Sequence, residues 1–139
     1  MKAAVMYERH KPLVLDDVDL ADPAANEVEV ELVASGICHS DLHHLERETP
    51  IKPPVVLGHE GAGVVKSVGV NVTRVKPGDH VIIAVGPQCG ECYYCLDLYM
   101  DGRIKLNELI TERFSLDDVY QALHALAAGE VARAVVEIQ

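Results

Sequence analysis

Short apolar runs dominate the first two thirds of the chain and predict strands rather than helices. In the stretch EVEVELVAS, Val28, Val30 and Leu32 fall on one face, and Glu27, Glu29 and Glu31 fall on the other. Such alternation is typical of a half-buried strand in an antiparallel sheet. Further strands are predicted in KAAVMYE, in LVLDDVDL and, as two or three strands punctuated by glycines, in GHEGAGVVKSVGVNVTRVKPGDHVIIAV.

Two segments show helical rather than strand patterns. SDLHHLERE predicts a short helix that begins with Ser40 or Asp41 as its N-cap and ends before TPIKPP. SLDDVYQALHALAAG predicts a second helix, with Ser115 and Asp118 as a capping pair and Gly129 as the stop. Its apolar stripe comprises Leu116, Val119, Tyr120, Leu123, Leu126 and Ala127. The final run, ARAVVEIQ, predicts a closing strand.

Composition agrees with a mainly β domain that has a few helices. The 139 residues suffice for one compact unit. Hydrophobic residues make up 49% of the chain but aromatic residues only 4%, so the core must be built from aliphatic side chains. Ten glycines among short strands favour a barrel or sandwich with sharp corners.

Charge narrows the range of partners. The net charge is −10 and no basic block occurs, which disfavours nucleic acid and anionic membranes. No apolar run is as long as a membrane-spanning helix, and the N-terminal residues lack the pattern of a signal peptide, so we expect a cytoplasmic protein.

Cysteine spacing gives the first indication of a metal. Cys89, Cys92 and Cys95 form a C-x-x-C-x-x-C run, and no cysteine follows. In a reducing compartment such a run favours metal thiolates, although three thiols without a fourth partner are also compatible with a disordered loop or an adventitious disulfide. Cys38 and His59 could also bind Zn²⁺, but a lone cysteine and a lone histidine at this spacing are more often a buried thiol and a surface ring.

A family resemblance favours the metal interpretation. The strings SGICHSD, PVVLGHEGAGVVKSVGVNV, KPGDHV and CGECYYC occur in the order found in the catalytic domain of zinc-dependent medium-chain alcohol dehydrogenases. The segment YMDGRIKLNELITERFSLDDVYQALHALAAGE is similar to the C-terminal segment of the same family. The resemblance implies a GroES-like β-barrel carrying a catalytic zinc.

Matched residue by residue, the resemblance implies a set of metal ligands. Cys38 and His59 would bind the zinc, and Glu60 would sit behind it, able to ligate when another ligand leaves. Asp41 would hold the far ring nitrogen of His59. Without the resemblance, Glu60 could equally be a buried structural carboxylate.

The same resemblance implies roles in proton and hydride transfer. Ser40 would take the proton of the substrate hydroxyl and pass it towards His43, while His39 would face the cofactor phosphate. Zinc would polarise the oxygen of a small alcohol or carbonyl substrate, and NAD(H) would exchange the hydride. Four further histidines are interpreted as surface or helix-face rings: His10, His44, His80 and His124.

One expected element of the family pattern is missing. No G-x-G-x-x-G motif opens a helix, so no dinucleotide-binding domain is recognisable and NAD(H) would bind weakly. We expect one GroES-like domain over 1–139, in which residues 1–95 are rejoined to residues 96–139 after that domain was lost. A clean join favours engineering.

Two functions remain open on the sequence. The first is a minimal alcohol dehydrogenase domain with residual activity. The second is a non-catalytic zinc-binding or GroES-like structural module. In either case the surface left by the missing domain would be apolar and could support self-association.

Overall fold

The computed structural model describes residues 1–83 and 107–138. Within these residues it contains eight strands, two α-helices and two short 3-10 turns. The strands are β1 (Lys2–Met6), β2 (Val14–Asp17), β3 (Val28–Gly36), β4 (Val55–Val56), β5 (Gly61–Val68), β6 (His80–Ile82), β7 (Glu112–Ser115) and β8 (Ala134–Glu137). The helices are α1 (His39–Glu46) and α2 (Val119–Ala128), and the turns are Asn107–Leu109 and Leu116–Asp118. The mainly β class with a few helices is confirmed.

The strands form two sheets. The smaller sheet has the order β2-β1-β4, and the larger has the order β6-β5-β3-β8-β7. All pairs are antiparallel except β7 with β8, which run parallel. Because Ser35 of β3 pairs with Gly61 of β5 on one side and Val136 of β8 on the other, the last strands of the chain share a sheet with β3 and β5.

The strict alternation predicted for β3 holds only partly. Pairing with β5 shifts register between Glu29 and Val30 and again between Leu32 and Ala34. Each irregularity interrupts the two-residue period of the strand, as a bulge does. As a result Val28 is exposed and Glu29 half-buried, the reverse of what simple alternation predicts.

The hydrophobic core lies where the two helices meet the sheets. Its buried members are aliphatic, as the composition required: Met6, Ile37, Leu42, Leu45, Ala122, Leu123, Leu126, Val131, Ala134 and Val136. Ala127 was predicted to face this core, but it is exposed, because the buried stripe of α2 is centred on Ala122, Leu123 and Leu126.

Only the C-terminal end of α2 follows the predicted chemistry, because Ser115 and Asp118 bond to each other and neither side chain caps a backbone N–H. Ser115 Oγ donates a hydrogen bond to the Asp118 carboxylate (2.6 Å), just ahead of the first turn of the helix. Gly129 closes the helix in a left-handed conformation (φ 73°), and the N–H of Glu130 donates to the Ala125 carbonyl (2.9 Å). Glycine adopts this conformation without the steric cost that a Cβ imposes, so Gly129 is confirmed as the stop.

The predicted start of α1 is wrong by two or three residues. The N-cap is Cys38 rather than Ser40 or Asp41. The physical reason is that Asp41, the third residue of the helix, accepts a hydrogen bond from the Cys38 N–H (3.0 Å). This is the backward-reaching half of a capping box, and it satisfies a helix-end donor that would otherwise lack a partner. No helix in the described residues of the chain has the length and apolar character needed to cross a bilayer.

Candidate metal centre

Backbone pairing brings two distant segments together at one end of the large sheet. The N–H of Gly36, at the end of β3, donates to the carbonyl of Glu60 (3.1 Å), just before β5 begins. Cys38 follows Gly36 by two residues, and His59 precedes Glu60 by one. The register of β3 against β5 therefore places Cys38 beside His59 and Glu60.

These three side chains offer a compact set of metal donors. Candidate ligand atoms of Cys38, His59 and Glu60 all lie within 4.8 Å of one another, and all three residues are half-buried. Zinc bonds of about 2.0–2.3 Å in tetrahedral geometry separate ligand atoms by about 3.3–3.8 Å, so small side-chain rotations would suffice. A thiolate, an imidazole and a carboxylate form a donor set that suits Zn²⁺.

Asp41 connects the helix cap to the imidazole. Its Oδ2 accepts the Cys38 N–H, while its Oδ1 lies 3.3 Å from His59 Nδ1. Asp41 is 6% exposed, and no other charged residue in the described part of the chain is buried. A carboxylate on Nδ1 fixes the ring and leaves Nε2 available for a metal, which is the arrangement predicted for this residue.

Of the residues predicted to transfer protons or hold the cofactor, Ser40 lies closest to the centre. Its Oγ is 3.2 Å from His59 Nε2. His43 and His39 are exposed on α1, and the described residues show no hydrogen bond between Ser40 and His43. The relay to His43 and the role of His39 stay predictions.

Cys38 and His59 perturb each other electrostatically. Hydrogen bonds from Ser40, and then from His59, hold the pKa of the Cys38 thiol below its ordinary value. The hydrogen bond with Cys38, followed by the charge of Asp41, raises the pKa of His59 despite the opposing effect of burial. Both shifts act in the direction of a thiolate beside an imidazolium, and the thiolate is the form of sulfur that a metal binds.

Arg133 belongs to the site although nothing in the sequence pattern indicated it. Its Nη1 lies 2.7 Å from Glu60 Oε2. The backbone of Arg133 is held in turn by Thr111, whose N–H donates to the Arg133 carbonyl (3.1 Å) and whose Oγ1 accepts the Arg133 N–H (3.2 Å). Arg133 and Glu60 are 73 residues apart, so only the β3–β8 pairing brings them together.

Gly36 makes room for the Glu60 carboxylate. A Cβ built on Gly36 would overlap Glu60 Oε2 and crowd its Cβ at 3.2 Å. The absent side chain at position 36 thus decides where the carboxylate can lie. The second predicted metal site, at Cys89, Cys92 and Cys95, lies outside the described residues.

Comparison with known proteins agrees with this geometry. Residues 24–133 match the family described as the alcohol dehydrogenase GroES-like domain. The class-3 alcohol dehydrogenase of Drosophila melanogaster is 53% identical over 95 residues, which make up 68% of this chain and 25% of that protein. The apo form of zinc dependent alcohol dehydrogenase 2 from Streptococcus pneumonia superposes with a TM-score of 0.58 and 35% identity, over 70% of this chain and 28% of that one. A solved NAD-dependent alcohol dehydrogenase gives a TM-score of 0.58 and 38% identity, over 70% and 29%.

A strand-rich domain whose sheet register gathers Cys38, His59 and Glu60 defines a GroES-like domain with a candidate zinc centre. The chain belongs to the alcohol dehydrogenase GroES-like domain family. It spans about a quarter of the length of the curated relatives that it matches.

Proposed function

We propose that this chain binds Zn²⁺ through Cys38, His59 and Glu60 and takes part in the oxidation of small alcohols, or the reduction of the corresponding carbonyls, with NAD(H). The observation that carries the proposal is the convergence of these three donors within 4.8 Å, with Ser40 in contact with the same imidazole. Zinc in such a site supplies Lewis-acid polarisation of the substrate oxygen.

The chain's own residues have separate tasks in this proposal. Asp41 keeps the His59 ring in one orientation and one tautomer through Nδ1. Ser40, half-buried and within hydrogen-bond reach of the centre, accepts the hydroxyl proton of the alcohol as it gives up its own. Exposed His43 would receive the proton that Ser40 gives up and exchange it with water, and NAD⁺, when bound, would supply the hydride acceptor.

Glu60 has two competing partners. Its carboxylate pairs with Arg133 at 2.7 Å and also lies within the metal-donor cluster. The Arg133 side chain is 47% exposed, so this pair is partly screened by water and costs little to rearrange. Glu60 can therefore approach the metal when another ligand departs, as the family resemblance implies.

Cofactor binding is expected to be weak. The chain carries no dinucleotide-binding motif, although His39 is exposed beside the centre and could contact a cofactor phosphate. Holding both reactants in alignment can lower a barrier by about 7–11 kcal/mol, so turnover should be far below that of a full-length dehydrogenase. On this proposal, residues 1–95 and 96–139 form one domain whose companion was removed, and the surface left behind supports self-association.

The deciding experiment measures zinc per chain and alcohol-dependent formation of NADH in the same preparations. In chains that carry serine at Cys89, Cys92 and Cys95, Cys38→Ser and His59→Ala should lose both bound zinc and turnover, whereas His80→Ala, which replaces an exposed histidine on β6, should lose neither. Zinc binding without any turnover would instead support a structural GroES-like module. If Cys38→Ser and His59→Ala turn over as fast as the control His80→Ala, catalysis does not take place at the metal centre.

A further inference from the structure

A second candidate site lies between the two helices. A cavity of about 240 Å³ opens between α1 and α2 and is bordered by the segment His10–Lys11. This volume exceeds the roughly 150 Å³ cavity that holds a benzene molecule, and it falls below the usual range for drug-sized ligands. The cavity can therefore take one ring or a short branched chain with a small head group.

The floor of the cavity is apolar and rigid. It is formed by Leu42 and Leu45 of α1 and by Leu123 and Ala127 of α2. The three leucines are 8%, 5% and 3% exposed and belong to the hydrophobic core. Close-packed core side chains do not move aside easily, so the floor selects for the shape of a compact apolar group.

The rim carries polar groups that have no partner among the described residues. It comprises His10, Lys11, Glu46, Tyr120 and His124. Within residues 1–83 and 107–138 none of these side chains has a hydrogen bond or ion pair, although the rings of Tyr120 and His124 meet edge-to-face at 4.6 Å. The lysine, the tyrosine and the two histidines can each donate a hydrogen bond, whereas the rim holds a single carboxylate, so donors outnumber anionic acceptors and the rim suits an anionic head group.

The backbone at the rim is held in an uncommon conformation. His10 has φ 61°, in the left-handed region, and among the described residues it is the only non-glycine residue with a positive φ. Its N–H donates to the Leu45 carbonyl (2.9 Å) at the end of α1, which fixes the His10–Lys11 segment over the cavity. Such conformations are unfavourable for an L-residue and cluster at ligand-binding positions.

We propose that this cavity binds a small carboxylate with a compact apolar body, its carboxylate at Lys11 and its apolar end against the leucine floor. None of the lining residues belongs to the metal centre, although α1 borders both. The proposal therefore does not depend on zinc or on dehydrogenase activity.

Benzoate tests the proposal, with benzamide and benzylamine as neutral and cationic analogues of the same shape. Each is titrated by NMR into the full chain in the presence of a chelator, so that no metal can bind the carboxylate. Benzoate should bind saturably at the α1–α2 cavity, benzamide more weakly and benzylamine least. Lys11→Met should weaken benzoate binding about tenfold, as expected for the loss of a charge-assisted hydrogen bond.

Two further variants fix the location. Glu46→Gln should tighten benzoate binding about twofold by removing the opposing charge, whereas Lys52→Met, at an exposed lysine outside the cavity, should change nothing. Ala127→Leu fills the cavity from the exposed face of α2 and should abolish binding, while Ala128→Leu, one position further along, should not. Three outcomes would each overturn the proposal. They are benzylamine binding as tightly as benzoate, benzoate binding without saturation, and a benzoate affinity of Lys11→Met or Ala127→Leu equal to that of the unmodified chain.

Discussion

Asp41 should contribute to the protein in two separable ways, to stability and to metal affinity. Its Oδ2 caps α1 through the Cys38 N–H (3.0 Å), and its Oδ1 orients His59 at 3.3 Å. Asp41→Ala removes both contacts and leaves the Cys38 N–H without its side-chain partner. Loss of a side chain that caps a helix costs about 0.5–2 kcal/mol, so we expect the free energy of unfolding to fall by about 2 kcal/mol.

Asp41→Asn separates the two contributions. Its amide oxygen can still accept the Cys38 N–H, so the free energy of unfolding should fall by less than about 1 kcal/mol. The uncharged amide supports the His59 imidazole poorly. Loss of such an outer partner typically lowers metal affinity about 10–100-fold, and we expect this drop in both Asp41 variants.

Urea denaturation of the metal-free chain measures the first quantity, and competition with a chromophoric zinc chelator measures the second. The zinc titration uses chains with serine at Cys89, Cys92 and Cys95, so that those thiols do not contribute. Asp118→Ala is the matched control, because Asp118 accepts hydrogen bonds from Ser115 and Gln121 at the start of α2, away from the centre. Unchanged zinc affinity in Asp41→Asn would refute the orienting role, and equal stability of the two Asp41 variants would refute the capping role.

Three other outcomes are expected. Gly36→Ala should displace the Glu60 carboxylate and lower the free energy of unfolding in urea by about 1–3 kcal/mol. Adding Glu60→Ala should recover some of that loss, and no recovery would show that the added methyl group does not act through Glu60. Contact with Cys38 raises the pKa of His59, so protons should compete with zinc for this ring at a higher pH than they do for an ordinary imidazole. Zinc affinity, measured by chelator titration at stepped pH values, should therefore begin to fall at that higher pH as the pH is lowered. A fall that begins only at the ordinary pKa of histidine would contradict this. Hydrogen bonds from its lysine and serine partners lower the pKa of Glu29, so its contribution to stability is present above the ordinary pKa of a glutamate and is lost as the pH falls through the lowered pKa. Glu29→Gln should therefore make the melting temperature fall less steeply at acidic pH. An unchanged fall would show that Glu29 makes no such contribution.

Local sequence patterns predicted much of the secondary structure. Apolar spacing indicated α2, and Gly129 was identified as its stop because left-handed backbone is a local property of glycine. The candidate donors Cys38 and His59 came from sequence strings that resemble a known family. Their spacing alone left other interpretations open.

Local patterns failed where a side chain acts on a neighbouring turn or strand. The start of α1 was misplaced because the Asp41 carboxylate reaches back to Cys38, so a residue that looks like an N-cap serves inside the helix. The faces of β3 were misassigned at Glu29 because bulges opposite β5 break the alternation.

The sequence by itself determined the class of fold and the C-terminal stop of the second helix, because these depend on residue type and short-range periodicity, and its resemblance to a known family supplied the candidate donors. Only the tertiary structure decided which donors meet. The β3–β5 register joins Cys38 to His59, and the insertion of β8 beside β3 brings Arg133 to Glu60 across 73 residues. The cavity between α1 and α2 is likewise a product of packing, since its walls come from three separated segments. Contacts between remote segments depend on how sheets and helices pack, and no local pattern along the chain encodes that.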